Sequence, residues 1–225
     1  MRHTTAAAAV TAALCAAALA CSTQAAPSRA PAGPPDPPVR FTSRVTTVPQ
    51  AKLGASHRAG CPVPPDRLRL IRMNHWGFDG RTHVGEMVVH EDAVRPVLHV
   101  FERAFEARFP IRRMRVMAEY RDDAEAMADD NTSAFNCRPV TGDPRRLSRH
   151  AWGDAVDINP VENPYVDING VVHPPNARAH LRRSPARPGQ IHPADAVAAA
   201  FREVGWQWGG RWANPDYQHF SANGE

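Results

Sequence analysis

The chain has 225 residues, of which 43% are hydrophobic, 22% charged and 7% aromatic, with 22 prolines. Apart from the prolines these are globular values, which excludes a collagen-like, coiled-coil or wholly disordered protein. The formal net charge is +4, yet the longest basic runs are pairs such as Arg112-Arg113, Arg145-Arg146 and Arg182-Arg183. That spread is too diffuse for a nucleic-acid stripe and supports no more than attraction to an anionic surface such as a cell wall.

In chain order, Met1-Arg2-His3 is a short basic start and residues 4–20 are nearly all Ala, Val and Leu. Residues 1–26 read as an export signal, because the run is Ala-rich, holds Thr4, Thr5 and Thr11, and ends in small residues suited to cleavage. Ala18-Leu19-Ala20-Cys21 is similar to a lipoprotein cleavage box, with Ala where Leu is usual, so Cys21 is a candidate for lipidation and for a membrane anchor. Seven prolines between Pro27 and Pro49, with few large apolar residues, predict a disordered tether over 27–60. Residues 61–225 remain for one domain, with no internal repeat. Cys61 and Cys137 are the only cysteines in it; in an oxidising compartment such a pair is more often bonded than free, and neither sits in a CxxC pair or beside a His.

Within the domain, Val84 to His90 has strand composition, and Glu91 to Arg108 carries Val94, Val97, Leu98, Phe101 and Phe105 at helical spacing. Ile111 to Ala118 predicts a strand, Asp122 to Ala128 a short helix and Ala155 to Asn159 another strand. Asn169-Gly170, flanked by Tyr165 to Ile168 and Val171 to His173, is a strong hairpin signal. Ala194 to Val204 reads as a helix stopped by Gly205. Hairpin-joined strands interspersed with helices predict an α+β fold rather than a doubly wound sheet.

The chemistry concentrates in two places. In Ser148 to Asn159, strand alternation sends Val156 and Ile158 to the core and aims Asp157 at the opposite face, while Gly153 lets the chain carry His150 back over that face. An imidazole and a carboxylate meeting there make two legs of a zinc site. In Trp206 to Phe220, three tryptophans spaced by glycines suggest a rigid wall, with Trp208 supporting the site from behind or facing substrate. His219 supplies a third leg, and Asp216 lies near enough to take a proton without binding metal.

Ser148-x-His150-x-x-Gly153-x-Ala155-x-Asp157 and Asp216-x-x-His219-Phe220 together resemble the M15 family of zinc peptidases, the D-alanyl-D-alanine carboxypeptidase and VanY-like group. The closing Asp resembles the M15C branch of L-alanyl-D-glutamate endopeptidases. The resemblance extends to Gly77-Phe78-Asp79-Gly80, Phe109-Pro110-Ile111 and the run Asn159 to Tyr165. It implies Zn2+ held by His150, Asp157 and His219, Asp216 as general base, and the small α+β architecture shared with the hedgehog domain, an antiparallel sheet carrying the metal with helices behind. It also implies an arginine upstream of the first motif that handles a substrate carboxylate or oxyanion; Arg138, beside Cys137, is the first choice and Arg121 the second. Ser148 is expected to brace the His150 loop. The expected partners are peptidoglycan stem peptides, cut as a D-Ala-D-Ala carboxypeptidase or an L-Ala-D-Glu endopeptidase, by a secreted, wall-associated monomer that binds no nucleic acid. The alternative is a non-catalytic zinc module that binds wall peptides or a protein.

Overall fold

The computed structural model describes residues 39–224; the expected signal, Cys21 and most of the proline-rich run lie outside the described residues. Strands β1 (Ser43–Thr47), β2 (Leu68–Trp76) and β3 (Thr82–His90) form an antiparallel sheet in that order, with helix α1 (Gln50–Leu53) between β1 and β2. This corrects the expected tether boundary, because the fold takes in chain well before Cys61. Val45 pairs with Ile71 across the β1–β2 ladder, and Leu53 is fully buried. A low density of apolar residues hid an edge strand that needs only one ladder of backbone bonds.

Helix α2 (Val94–Glu106) follows a 3-10 turn over Glu91–Ala93. It buries Val97, Val100, Phe101, Ala104 and Phe105, a stripe at three- and four-residue spacing. Each large member contributes about 1.5–3 kcal/mol by leaving water. Pro96 falls in the first turn, where its missing N–H has no intrahelical acceptor to lose. The stripe packs on β2 and on α4 (Ala196–Glu203). Asp195 caps α4 by accepting the N–H of Ala198 at 2.9 Å, and Gly205 follows it with φ +80°.

Between α2 and α4 the elements are short: β4 (Arg113–Met114), α3 (Asp123–Ala128), β5 (Asn131–Thr132), β6 (Pro139–Val140), β7 (Asp143–Leu147), β8 (Ala155–Asp157), β9 (Tyr165–Val166) and β10 (Val172–His173). The strand expected over Ile111 to Ala118 shrinks to β4, since after Met114 the chain turns into a 3-10 helix at Met117–Glu119. The β9–β10 hairpin forms as expected, with Asp167 Oδ1 accepting the N–H groups of Asn169 and Val171 inside its turn. The strand expected to reach Asn159 ends at Asp157, because Asn159 turns to φ +45° and spends its amide on Pro110 and Gly189 carbonyls.

The second three-stranded antiparallel sheet runs β11 (Gln207–Trp208), β12 (His219–Ser221), β8, with β12 in the centre. Val156, Ile158 and Phe220 drive into the main core, where Phe220 stacks on Phe201 with centroids 3.8 Å apart. A smaller core around Leu53, Leu68, Val116 and Phe135 includes Cys137, which bonds Cys61 as expected. The architecture is α+β.

Candidate metal centre

β8 and β12 pair so that Asp157 lies directly opposite His219. Cross-strand neighbours in such a pair have side chains about 5 Å apart on one face, and His219 Nδ1 is 3.0 Å from Asp157 Oδ1. His150 arrives from the 3-10 turn Arg149–Trp152, opened by Ser148, whose Oγ accepts the N–H of His150 at 3.4 Å. This is the hydrogen bond that a bracing Ser148 would make. The turn closes at Gly153, with φ +70°, where a Cβ would stand 2.6 Å from the backbone nitrogen of His90. Only glycine permits that approach.

His150 Nδ1 lies 2.6 Å from the carbonyl of Ala134, which makes Nδ1 the donor and turns Nε2 toward the other two side chains. Nε2 is 3.1 Å from Asp157 Oδ2 and 3.1 Å from His219 Nδ1. All three residues are buried, and each offers a ligand atom within 4.8 Å of the others, the one such group among the described residues. Burial pushes the Asp157 carboxyl up, but the imidazoles, His150 foremost, outweigh it and hold it well below the carboxylate range. Burial pushes His150 down, and Asp157 more than reverses that.

Asp216 stands on the segment that enters β12. Its backbone N–H donates to Gly209 at 3.0 Å, and a bridge to Tyr165 of β9 fixes it from the other side. The side chain is buried, and Oδ1 has no hydrogen-bond partner among the described residues. Burial first, and then the charge of Asp157, push its carboxyl up to about 7. A buried carboxylate, two imidazoles and a second carboxyl with an unsatisfied oxygen suit a divalent cation, which would satisfy the lone pairs and ease the repulsion between the acids. Two nitrogens and one oxygen form a zinc-type donor set.

The cluster opens into a cleft of about 640 Å³. Arg138 lines it and is braced, with Nε 2.7 Å from Asp123 Oδ1 and Nη1 donating to the carbonyl of Pro139 at 3.0 Å. Arg121 is not there; its exposed side chain pairs with Asp122 and borders a separate surface depression. Trp208 does not face the cleft either. Its Nε1 donates to the carbonyl of Tyr217 at 2.9 Å and its ring stacks on Phe220, so it supports β12 from behind. The wall is Trp212, with its ring centroid 5.5 Å from that of His219.

Tyr165 is a cleft residue that sequence reasoning placed in a hairpin and at the end of a family-like run but gave no role at the site. Its hydroxyl donates to the carbonyl of Thr141 at 3.3 Å, and burial, followed by the charge of Asp216, pushes its pKa up to about 12. It stays a neutral donor. The signal available was its place in the Asn159 to Tyr165 run, which strand pairing brings against Asp216.

Residues 141–222 match the M15 peptidase family model described as D-alanyl-D-alanine carboxypeptidase. The match takes in His150, Asp157, Asp216 and His219 and stops short of Arg138. No curated protein and no solved structure matches the chain.

Proposed function

Residues 141–222 make the chain a member of the M15 peptidase family, and from that premise we propose that it is a zinc-dependent peptidase acting on peptidoglycan stem peptides. The observation that carries the reading is the buried His150–Asp157–His219 cluster beside the unsatisfied Oδ1 of Asp216. His150 Nε2, His219 Nδ1 and an Asp157 oxygen would hold the metal. Zinc, when bound, supplies a Lewis acid that polarises the scissile carbonyl and lowers the pKa of water to about 7.

Asp216 Oδ1 accepts the proton of the attacking water and returns it to the leaving amine, a task suited to a carboxyl aimed into the cleft and not held by other hydrogen bonds. Arg138, held by Asp123, presents fixed positive charge to an oxyanion or a substrate carboxylate. Tyr165 and Trp212 confine the peptide and reduce water access. The Ala134 carbonyl and Ser148 hold the His150 ring and loop in place. The scaffold we propose for this work is hedgehog and D-Ala-D-Ala-peptidase-like, in an exported monomer tethered at or near the wall. Among the described residues no helix is long and apolar enough to cross a membrane.

The reading is tested by incubating the zinc-loaded full chain with peptidoglycan stem peptides, with and without chelator, and weighing the products. Loss of a terminal D-Ala identifies a carboxypeptidase, and cleavage between L-Ala and D-Glu an endopeptidase; chelator should abolish either. No product from any stem peptide despite bound zinc would overturn the proposal and favour a binding module.

A further inference from the structure

Two hydrogen-bond donors of the cleft, from distant parts of the chain, meet at Thr141, the turn residue between β6 and β7. Tyr165 Oη donates to the Thr141 carbonyl at 3.3 Å, and Arg138 Nη1 donates to Thr141 Oγ1 at 3.4 Å. Both bonds are long, since such bonds cluster at about 2.7–2.8 Å for O–H···O and about 2.9–3.0 Å for N–H···O. Each donor is otherwise fixed. Arg138 Nε lies 2.7 Å from Asp123 Oδ1 and Nη1 also reaches the Pro139 carbonyl, which leaves Nη2 without a partner among the described residues. The Tyr165 ring stacks on His173 with centroids 5.8 Å apart, and His173 Nε2 is held by Asp167 Oδ2 at 2.9 Å. The donors are set, and the acceptor they share is weak.

Tyr165 also stands directly across from Asp216. The N–H of Val166 donates to the Pro215 carbonyl at 2.9 Å and that of Tyr217 to the Pro164 carbonyl at 3.2 Å, so residues 165 and 216 form a non-hydrogen-bonded antiparallel pair. In such pairs the α-carbons are about 4.5 Å apart and the side chains lie on one face. Arg138, Thr141, Tyr165 and Asp216 all line the cleft. In the peptidase reading, on which this step rests, Asp216 returns its proton to the leaving amine. An α-carboxylate carbon is two bonds from that nitrogen, and so comes within reach of the hydroxyl opposite Asp216.

We propose that Tyr165 sets specificity for a free α-carboxylate on the residue that leaves with that amine. One carboxylate oxygen accepts from Tyr165 Oη in place of the Thr141 carbonyl, and the other accepts from Arg138. Two donors facing two oxygens select a carboxylate over a carboxamide, whose nitrogen would meet a donor and leave it unpaired. Both stem-peptide bonds named above offer the group. A terminal D-Ala carries it as its C-terminus, and a D-Glu joined onward through its side-chain carboxyl keeps it as the free α-carboxyl.

The test compares the zinc-loaded full chain with Tyr165→Phe on two pairs of stem peptides, one pair ending in D-Ala-D-Ala and one carrying L-Ala-D-Glu. In each pair the α-carboxylate of the leaving residue is free in one member and a carboxamide in the other. KM and kcat are read from turnover, and binding is titrated separately on the zinc-loaded Asp216→Asn chain with and without Tyr165→Phe. The parent should prefer acid over amide at least about tenfold. Loss of the hydroxyl should raise KM and weaken binding of the acid about tenfold, with kcat within about threefold, while the amide stays within about twofold. The pair that responds identifies which residue supplies the carboxylate. A hydroxyl that only latches the β6–β7 turn would weaken acid and amide equally; that result, or a parent that handles acid and amide alike, overturns the inference. Selective binding of the acid without cleavage upholds it and sinks the peptidase reading, and a parent that neither binds nor cleaves overturns both. Zinc content and melting temperature establish that each variant is loaded and folded.

Discussion

Among the described residues two pairs of neighbouring carboxyl groups are buried, and they are accommodated differently. Asp130 and Glu162 lie under Arg112, whose Nε is 3.5 Å from Asp130 Oδ2 and whose Nη2 is 3.3 Å from Glu162 Oε1. Burial first, and then a hydrogen bond to Asp130, push the Glu162 carboxyl up to about 8, so the pair keeps a proton between the two acids at neutral pH. Asp157 and Asp216 are as deeply buried but face two imidazoles, and Asp216 Oδ1 is unsatisfied. The first pair is neutralised from within by a guanidinium and a shared proton. The second converges with two imidazoles on a donor set that suits a divalent cation. Burying carboxylates is thus not by itself a sign of a site, and neither is an unsatisfied oxygen, since Asp130 Oδ2 and Glu162 Oε2 also lack hydrogen-bond partners; the sign is two imidazoles converging on the acids where the first pair has a guanidinium.

The sharpest way to break this contrast is to remove a ligand. Asp157→Ala should reduce zinc from about one per chain to near zero and abolish hydrolysis; metal analysis showing full occupancy would dismiss the assignment. Next comes the base. Asp216→Asn should keep zinc and fold normally while losing turnover by a factor on the order of 10² or more, with Asp216→Glu recovering part of it. If Asp216 only shapes the turn after Pro215, the melting temperature will fall and the rate per folded molecule will hold.

The smallest effect belongs to the internally neutralised pair. The Glu162 carboxyl rises from an ordinary value near 4.5 to about 8 in the folded chain, so the native state holds a proton that the unfolded chain releases between those values. Its contribution to stability is full below pH 4.5 and declines as the pH rises to about 8. Glu162→Gln keeps a donor toward Asp130 without titrating, so its melting temperature should fall less than the parent's between pH 5 and about 8.5. Parallel melting curves across that range would show that Glu162 carries no such proton.

How much of this was legible in the sequence follows from range. The three residues of the candidate centre could be read because Asp157 sits in a strand whose alternate residues are apolar, and because His150 and His219 stand in motifs that resemble the M15 family. The hairpin at Asn169-Gly170 and the stop of α4 at Gly205 are local and were equally plain. Features set by distant partners were not. Nothing near Ser43–Thr47 tells that β2 offers a free edge there, and three tryptophans in seven residues do not say which one faces the cleft. Trp208 is turned away by its register opposite Phe220, a pairing the local sequence does not encode. Arg121 and Arg138 looked alike until Asp123 was found to hold only the second.

The strand that carries the last ligand is also the middle strand of its sheet. Because β12 inserts between β8 and β11, neither neighbour has its ladder until residues 219–221 arrive, and the contact that closes the metal centre joins positions 62 apart in sequence. A chain cut between β8 and β12 has His150 and Asp157 but lacks His219, and so lacks the complete cluster. The candidate centre is therefore complete only once β12 has paired with β8, a contact that is distant in sequence and slow to form for that reason.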